Sequence, residues 1–205
     1  MAYTEELVSK LSHSVSKETC CRLAMLSAIV KIDGSIHLGA KSAISLELKI
    51  SNMALSRRII SEFKSLFGLH SEVSLRRINI RGTTQSQILI KSNQLRAVLE
   101  KLEVLQGGKL NLGMPKNLIK RTCCKSYFLR GAFMAGGYVN QSAGTAHLEI
   151  SSENKKLIDE LSKMLNEKKL IENRVRKKDN YFSFYIKSND RVTAFLKLIE
   201  APKEA

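Results

Sequence analysis

Four cysteines, arranged as the two adjacent pairs Cys20-Cys21 and Cys123-Cys124, are the residues best suited to thiolate chemistry. A zinc site usually takes two thiolates from a C-x-x-C segment, and neither pair has that spacing. A catalytic thiol needs a histidine in reach, and none of the four histidines has a spacing that pairs it with a cysteine. The sequence therefore favours small buried thiols in a reducing compartment, and it predicts no metal site and no cofactor.

Each cysteine pair begins a stretch that the chain contains twice. Residues 20–38 (CCRLAMLSAIVKIDGSIHL) return as residues 123–140 (CCKSYFLRGAFMAGGYVN), at a constant offset of 103 residues that matches Gly34 with Gly137. Both copies are apolar runs rich in small residues, which predicts a helix that packs closely against its own copy. We expect Gly34 to end the first of these helices with a positive φ.

Hydrophobic periodicity predicts the same order of elements on both sides of a glycine-rich linker: helix, strand, strand, helix, strand, strand, helix. The predicted halves are residues 1–105 and 119–205, joined by the linker 106–118. After a leading helix at 3–15, the first half has elements at 17–32, 35–38, 44–50, 53–67, 73–80, 87–91 and 93–105. The second half has a motif helix ending at 136 and elements at 138–140, 145–151, 153–165, 172–178, 181–187 and 190–199. The tetrapeptide IKSN at both 90–93 and 186–189 supports the duplication.

Composition restricts the class of protein and the class of partner. A chain of 205 residues that is 43% hydrophobic can bury the core of one domain or two small ones. The 34 basic and 19 acidic residues give a net charge of +15, which favours a polyanionic partner. There is no apolar run of the ~18 residues that a membrane span needs, and no signal peptide at the N-terminus. We therefore expect a cytoplasmic, nucleoid-associated protein that does not bind membranes.

The repeated stretch resembles the LAGLIDADG motif of homing endonucleases, in which two such helices pack across a two-fold axis and each leads into a saddle-shaped sheet. Residues 26–34 (LSAIVKIDG) and 129–137 (LRGAFMAGG) fit the two copies of the motif. The resemblance implies an α+β LAGLIDADG-like monomer of two pseudo-symmetric αββαββα units with saddle-shaped antiparallel sheets. The small residues expected at the helix–helix interface are Ala24, Ser27, Ala28, Gly131, Ala132 and Ala135.

The sequence of the second copy, followed by the segment HLEI, resembles sequences of the WhiA family of bacterial transcriptional regulators. The N-terminal domain of that family is a degenerate LAGLIDADG fold. The likeness covers essentially all 205 residues. It implies a DNA-binding regulator of sporulation, cell division and chromosome segregation, with other regulatory proteins as further partners. Members of that family continue into a helix-turn-helix domain, so we expect this chain to be the N-terminal part of a longer protein or one that has lost that module.

The resemblance also identifies the position at which nucleases of this fold carry one metal-binding carboxylate per motif. That position holds Asp33 in the first copy and Gly136 in the second. Half of the metal site is missing, so we expect no enzyme activity and interpret Asp33 as a turn residue beside Gly34. An active or residual homing endonuclease, an RNA-binding maturase and a purely protein-interaction module remain as alternatives.

Candidate contacts to double-stranded DNA lie on the strand faces turned away from the core, and we expect Lys116, Lys120 and Arg121 to extend this patch beside the linker. Alternation places Phe182, Phe184 and Ile186 on the core side of the last strand and its tyrosines on the other side. In the first half the doublet Arg76-Arg77 breaks the alternation and leaves open which arginine faces outward. The candidate nucleic-acid contacts are Arg76, Arg77, Arg81, Gln85, Gln87, Lys91, Lys116, Lys120, Arg121, Arg174, Arg176, Lys178, Tyr181, Tyr185 and Lys187.

Overall fold

A computed structural model describes residues 2–39, 43–70, 73–80, 83–142, 145–167 and 171–200. The first half contains α1 (Ala2–His13), α2 (Thr19–Asp33), β1 (Gly34–Leu38), β2 (Ile44–Ile50), α3 (Met53–Phe67), β3 (Val73–Ile80), β4 (Thr83–Lys91) and α4 (Leu95–Lys101). A short hairpin of β5 (Leu105–Gln106) and β6 (Lys109–Leu110) follows. The second half contains α5 (Thr122–Gly136), β7 (Gly137–Ser142), β8 (Thr145–Ser152), α6 (Lys155–Glu167), β9 (Arg174–Lys178), β10 (Tyr181–Lys187) and α7 (Asn189–Leu198). The predicted α+β class and the predicted order of elements are confirmed.

Each half builds one four-stranded antiparallel sheet with the same topology. The strand orders are β1-β2-β4-β3 and β7-β8-β10-β9, so the strand that follows each motif helix lies at an edge. Helices α3 and α4 pack against the first sheet, and α6 and α7 against the second. On the covered faces Leu46, Leu48, Phe184 and Ile186 are fully buried, as the alternation predicts. The opposite face of each sheet is open and carries polar side chains.

The motif helices pass directly into their edge strands without a turn. Helix α2 ends at Asp33 and β1 begins at Gly34, whose φ is −79°. The predicted positive φ is therefore wrong. A β-carbon at Gly34 would lie 2.4 Å from the Val30 carbonyl oxygen, and one at Gly137 would lie 2.3 Å from that of Phe133. Glycine is required at both positions because the chain approaches the last helical turn too closely for a side chain.

Helices α2 and α5 pack along each other through small residues. A β-carbon at Gly131 would lie 2.3 Å from the Met25 carbonyl oxygen and 3.0 Å from the Ala28 β-carbon. The helix backbones are in contact here, which no larger residue would allow. Ala24, Ser27, Ala28 and Ala132 are completely buried, Gly131 is buried, and Ala135 is half-buried.

Two stretches near the linker differ from the sequence prediction. Helix α4 ends at Lys101, earlier than the predicted end at residue 105, and the chain then forms the β5–β6 hairpin. Gly107 and Gly108 make its turn with φ values of 57° and 74°, which glycine adopts at no steric cost.

Within the part of the chain that the structure describes, no helix is both long and apolar enough to cross a membrane.

Candidate nucleic-acid interface and the ends of the motif helices

The open face of the second sheet brings together six of the predicted nucleic-acid contacts. The register of β9 and β10 pairs Tyr181 with Lys178 and Tyr185 with Arg174. Directly opposed residues of an antiparallel pair point to the same face, and side chains two positions apart on one strand do so as well. The surface defined in this way, called the second sheet face below, carries Arg174, Arg176, Lys178, Tyr181, Tyr185 and Lys187.

A glutamate that the sequence reasoning missed lies in the middle of the second sheet face. Glu149 accepts hydrogen bonds from Ser151 Oγ at 3.2 Å and from Arg176, and His147 Nε2 lies 3.4 Å from it. Burial pushes the pKa of Glu149 upward, but hydrogen bonds from Ser183, Arg176 and His147 outweigh burial and hold it below its usual value. Glu149 therefore compensates much of the charge of Arg176, and the outer cations of this face are Arg174, Lys178 and Lys187.

The open face of the first sheet has a related arrangement. Arg76 of β3 lies directly opposite Gln87 of β4 in the strand register. The Gln87 Nε2 atom donates a hydrogen bond to Glu47 at 2.7 Å. This bond is the main reason why the pKa of Glu47 is lowered, and His37 and Lys49 contribute in the same direction. Gln85 and Lys91 alternate with Gln87 along β4 onto the same face.

The two remaining arginines of that region have different outcomes. Arg77 is paired with Ser86, whose side chain is buried, so Arg77 lies on the face opposite to Arg76. The register thus answers the question that the sequence left open: Arg76, and not Arg77, lies on the open face. Arg81 lies outside the described residues.

Three further basic candidates lie on the linker or at its end. Arg121 immediately precedes α5, and its Nη1 atom lies 3.4 Å from Cys20 Sγ. A 15-residue helix separates this point from β7, which corresponds to about 20 Å at 1.5 Å per residue. Lys120 and Arg121 therefore do not extend the second sheet face, although the sequence suggested that they would. Lys116 is exposed on the linker.

The C-terminal end of α2 opens into a cleft of about 420 Å³. Its polar lining includes Asp33, Glu47, Lys49 and Glu153. Burial raises the pKa of Asp33 to about 7, although the main-chain hydrogen bond and the charge of Lys49 act in the opposite direction and Glu153 adds to the rise. Among the described residues, the Asp33 Oδ2 atom is buried without a hydrogen-bond partner. The interpretation of Asp33 as a turn residue is wrong, because helix and strand meet without a turn.

A buried lysine that the sequence reasoning did not single out lines the same cleft. Lys31 Nζ donates to the Asn111 carbonyl oxygen at 2.6 Å. Burial lowers the pKa of Lys31 to about 8, even though Glu103 and Glu160 favour its charged form. The lysine therefore fastens the linker to the end of α2.

Gly136 occupies the position that corresponds to Asp33, and the space for a side chain there is already filled. A β-carbon on Gly136 would lie 2.3 Å from the Ser151 carbonyl oxygen and 2.9 Å from Ile32 Cγ2. The neighbouring Ser152 Oγ donates to the Ile32 carbonyl oxygen at 3.1 Å, which holds β8 against the end of α2. A second carboxylate would require β8 to move.

This donor set does not fit the pair of divalent metals that nucleases of the LAGLIDADG type hold between their motif helices. One motif supplies a carboxylate whose burial favours the protonated form, and the other supplies no side chain. Hard divalent cations such as Mg²⁺ bind to ionised carboxylates and carbonyl oxygens, and the two motif ends supply a single carboxylate between them.

The opposite end of the helix pair brings all four cysteines together. Their Sγ atoms all lie within 4.8 Å of one another. Cys21 and Cys124 are buried, whereas Cys20 and Cys123 are half-buried. The spacing of the cysteines along the chain does not predict this cluster, because it forms where two helices meet. The signal that could have found it was the repeat itself, which places an equivalent pair on each helix.

Comparisons with known proteins agree with this architecture. Two family models match the chain: the WhiA N-terminal LAGLIDADG-like domain over residues 19–105 and the WhiA LAGLIDADG-like domain over residues 125–205. The probable cell division protein WhiA of Desulforamulus reducens is 32% identical over 98% of this chain and 63% of its own length. The chain thus spans less than two thirds of the length of that relative.

Solved structures show the same fold. The crystal structure of the N-terminal LAGLIDADG domain of DUF199/WhiA matches with a TM-score of 0.76 and 19% identity, over 98% of this chain and 92% of that chain. The homing endonuclease I-DmoI, solved in complex with DNA and Mn, matches with a TM-score of 0.59 and 16% identity, over 91% of this chain and 100% of that chain. The predicted LAGLIDADG-like fold is confirmed, and because the two family models together cover both halves, the chain belongs to the WhiA family.

Proposed function

We propose that this chain is a non-catalytic, DNA-binding LAGLIDADG scaffold that serves a WhiA-type transcriptional regulator. The regulator would act in cell division, the process named for the Desulforamulus relative, and in sporulation and chromosome segregation. We also propose that the chain acts as a monomer at the nucleoid, since its halves at 1–105 and 119–205 already supply both motif helices, and that other regulatory proteins are further partners.

The polar sheet faces support DNA as the partner. They expose Arg76, Lys91, Arg174, Lys178 and Lys187 in a chain whose net charge is +15. Cations interleaved with tyrosine and glutamine are suited to phosphate and base-edge contacts. The related endonuclease I-DmoI was solved with DNA, and the likeness extends to the whole of that protein.

One observation carries the non-catalytic part of the proposal: the Ser151 carbonyl oxygen lies 2.3 Å from the place where a Gly136 side chain would begin. The metal-binding pair is therefore lost through packing as well as through the residue type. A simple substitution at this position would not restore it, because the main chain of β8 takes up the space.

DNA binding by the second sheet face can be tested by a triple substitution, Arg174→Ala, Lys178→Ala and Lys187→Ala. The matched control removes three exposed cations from helices on the covered sides, Arg57→Ala, Lys156→Ala and Lys197→Ala. Affinity for duplex DNA is measured at several salt concentrations. Each phosphate contact contributes about 0.9 to the slope of log K against log salt, so the sheet-face variant should lose a slope of about 2 to 3.

The control keeps the same loss of net charge and should change the slope by less than about 1. Equal losses in both variants would show that binding follows net charge and not this face, which would refute the assignment. Failure of the unaltered protein to bind duplex DNA would favour the protein-interaction module, and preferential binding of structured RNA would favour the maturase alternative.

A further inference from the structure

The four cysteine sulfurs at the N-terminal ends of α2 and α5 form a compact group of metal-binding atoms that the proposed function does not use. Each helix contributes two adjacent residues from its first turn. All four Sγ atoms lie within 4.8 Å of one another, and those of Cys123 and Cys124 are 4.0 Å apart. These are all the cysteines of the chain.

The size of the group matches one tetrahedral ion. A Zn²⁺ ion bound by four thiolates has Zn–S bonds of about 2.3 Å, which puts neighbouring sulfurs about 3.8 Å apart. Side-chain movements of less than about 1 Å would bring the observed spacing to that value. In [2Fe–2S] and [4Fe–4S] clusters the four cysteines are divided among two or four iron atoms, so the four sulfurs as a group must spread further apart than around one ion.

The surroundings suit an ion with four thiolates, which carries a net charge of −2. The cluster faces the N-terminal ends of two helices, each equivalent to about +0.5 charge. Arg121 Nη1 lies 3.4 Å from Cys20 Sγ and 3.8 Å from the Glu18 carboxylate, so its positive charge is shared between the thiol and this glutamate. The side chains of the N-cap residues Glu18 and Arg121 make no capping hydrogen bond, so they do not compete for the first-turn amides.

We propose that Cys20, Cys21, Cys123 and Cys124 bind one thiophilic d¹⁰ cation, Zn²⁺, in a structural site that fastens the two motif helices together. Two ligands come from each half of the chain, so the ion bridges the halves across the pseudo-two-fold axis. A set of four protein ligands leaves no open position for substrate, which is typical of structural zinc. The half-buried Cys20 and Cys123 give the ion a path of entry.

Metal content provides the first test. Full-length protein is purified under reducing conditions without a metal-binding tag, its zinc is measured, and the ion is then replaced by Co²⁺. We expect one metal per chain and the thiolate-to-cobalt charge-transfer and visible bands of a tetrahedral sulfur site. Because the chain has four cysteines in total, the intensity of these bands reports on this cluster alone.

Substitution provides the second test. Cys20→Ser and Cys123→Ser alter the half-buried ligands, and Lys17→Ser changes an exposed residue just before α2 to the same side chain. Each cysteine variant should lose on the order of 100-fold in metal affinity, and a given excess of zinc should raise its Tm less than it raises that of the unaltered protein. Lys17→Ser should bind zinc as the unaltered protein does.

Several results would overturn the proposal. One is the failure of reduced protein to bind zinc or cobalt above background, and another is reactivity of all four thiols toward a thiol reagent in excess zinc. Disulfides between the helices that form under mild oxidation in a protein that binds no zinc would show a redox pair instead. Zinc retained at full affinity by both cysteine variants would place the metal elsewhere.

Discussion

Replacement of Asp33 by asparagine should stabilise the protein, and it should do so more strongly as the pH rises. Asp33 is the last residue of α2 and is held against the sheet, where burial raises its pKa from 3.8 to about 7. The Lys49 main chain and ammonium group reduce this effect without reversing it. Asparagine has nearly the shape of the protonated acid and carries no charge at any pH.

The sign and size of the effect follow from proton linkage. Between pH 3.8 and about 7 the unfolded chain has released the proton that the folded protein keeps, so the free energy of unfolding falls as the pH rises. The loss levels off above pH 7. At about 1.36 kcal/mol per pH unit, the advantage of Asp33→Asn should grow by up to about 2.7 kcal/mol between pH 5 and pH 8.

Urea denaturation of both proteins at pH 5, 6, 7 and 8 measures this difference. Asp159→Asn is a suitable control, since Asp159 is 43% exposed and paired with Lys155 on the surface of α6. The control should change stability by less than about 1 kcal/mol with little dependence on pH over this range. An Asp33→Asn effect that is constant with pH, or destabilising at pH 8, would refute the burial of this carboxyl as the cause.

Two further predictions concern the Gly136 position and the sheet face. Gly136→Asp should lower the free energy of unfolding by about 3 kcal/mol or more, because its β-carbon would meet the Ser151 carbonyl oxygen 2.3 Å away, and it should not produce plasmid nicking in Mg²⁺ or Mn²⁺. Normal stability together with nicking would show that the site had only lost its acid. The Glu149 carboxylate stabilises the folded protein above pH 4.5, and this contribution is lost as the pH falls through the lowered pKa of Glu149. Glu149→Gln should remove this contribution. Acid-unfolding curves of the two proteins that differ by a constant offset would contradict this.

The repeat made the fold predictable from the sequence. Two apolar runs that are rich in small residues, repeat at a constant offset of 103 and end at Gly34 and Gly137 can serve few arrangements other than two helices in close contact. Strand faces were predictable for the same kind of reason, since alternation alone separates Phe184 and Ile186 from Tyr185. These features depend on residues close together in sequence or on the repeated segment.

The parts that sequence did not reveal depend on contacts between distant segments. Arg76 and Arg77 are neighbours in the chain, and only the register against Gln87 and Ser86 assigns them to different faces. The cysteine cluster requires two helices to meet at their N-terminal ends. The raised pKa of Asp33 requires its burial against the sheet. Local propensity contains none of this information.

The measurement that tests the central claim most directly is binding and cleavage of the same labelled duplex DNA by the same protein sample in Mg²⁺ or Mn²⁺. The proposed function predicts a salt-dependent complex in which both strands remain intact, since Gly136 leaves the metal site without its second carboxylate. Strand cleavage that is abolished by Asp33→Asn would contradict the claim that the scaffold is non-catalytic, and the absence of any complex would contradict the claim that it binds DNA.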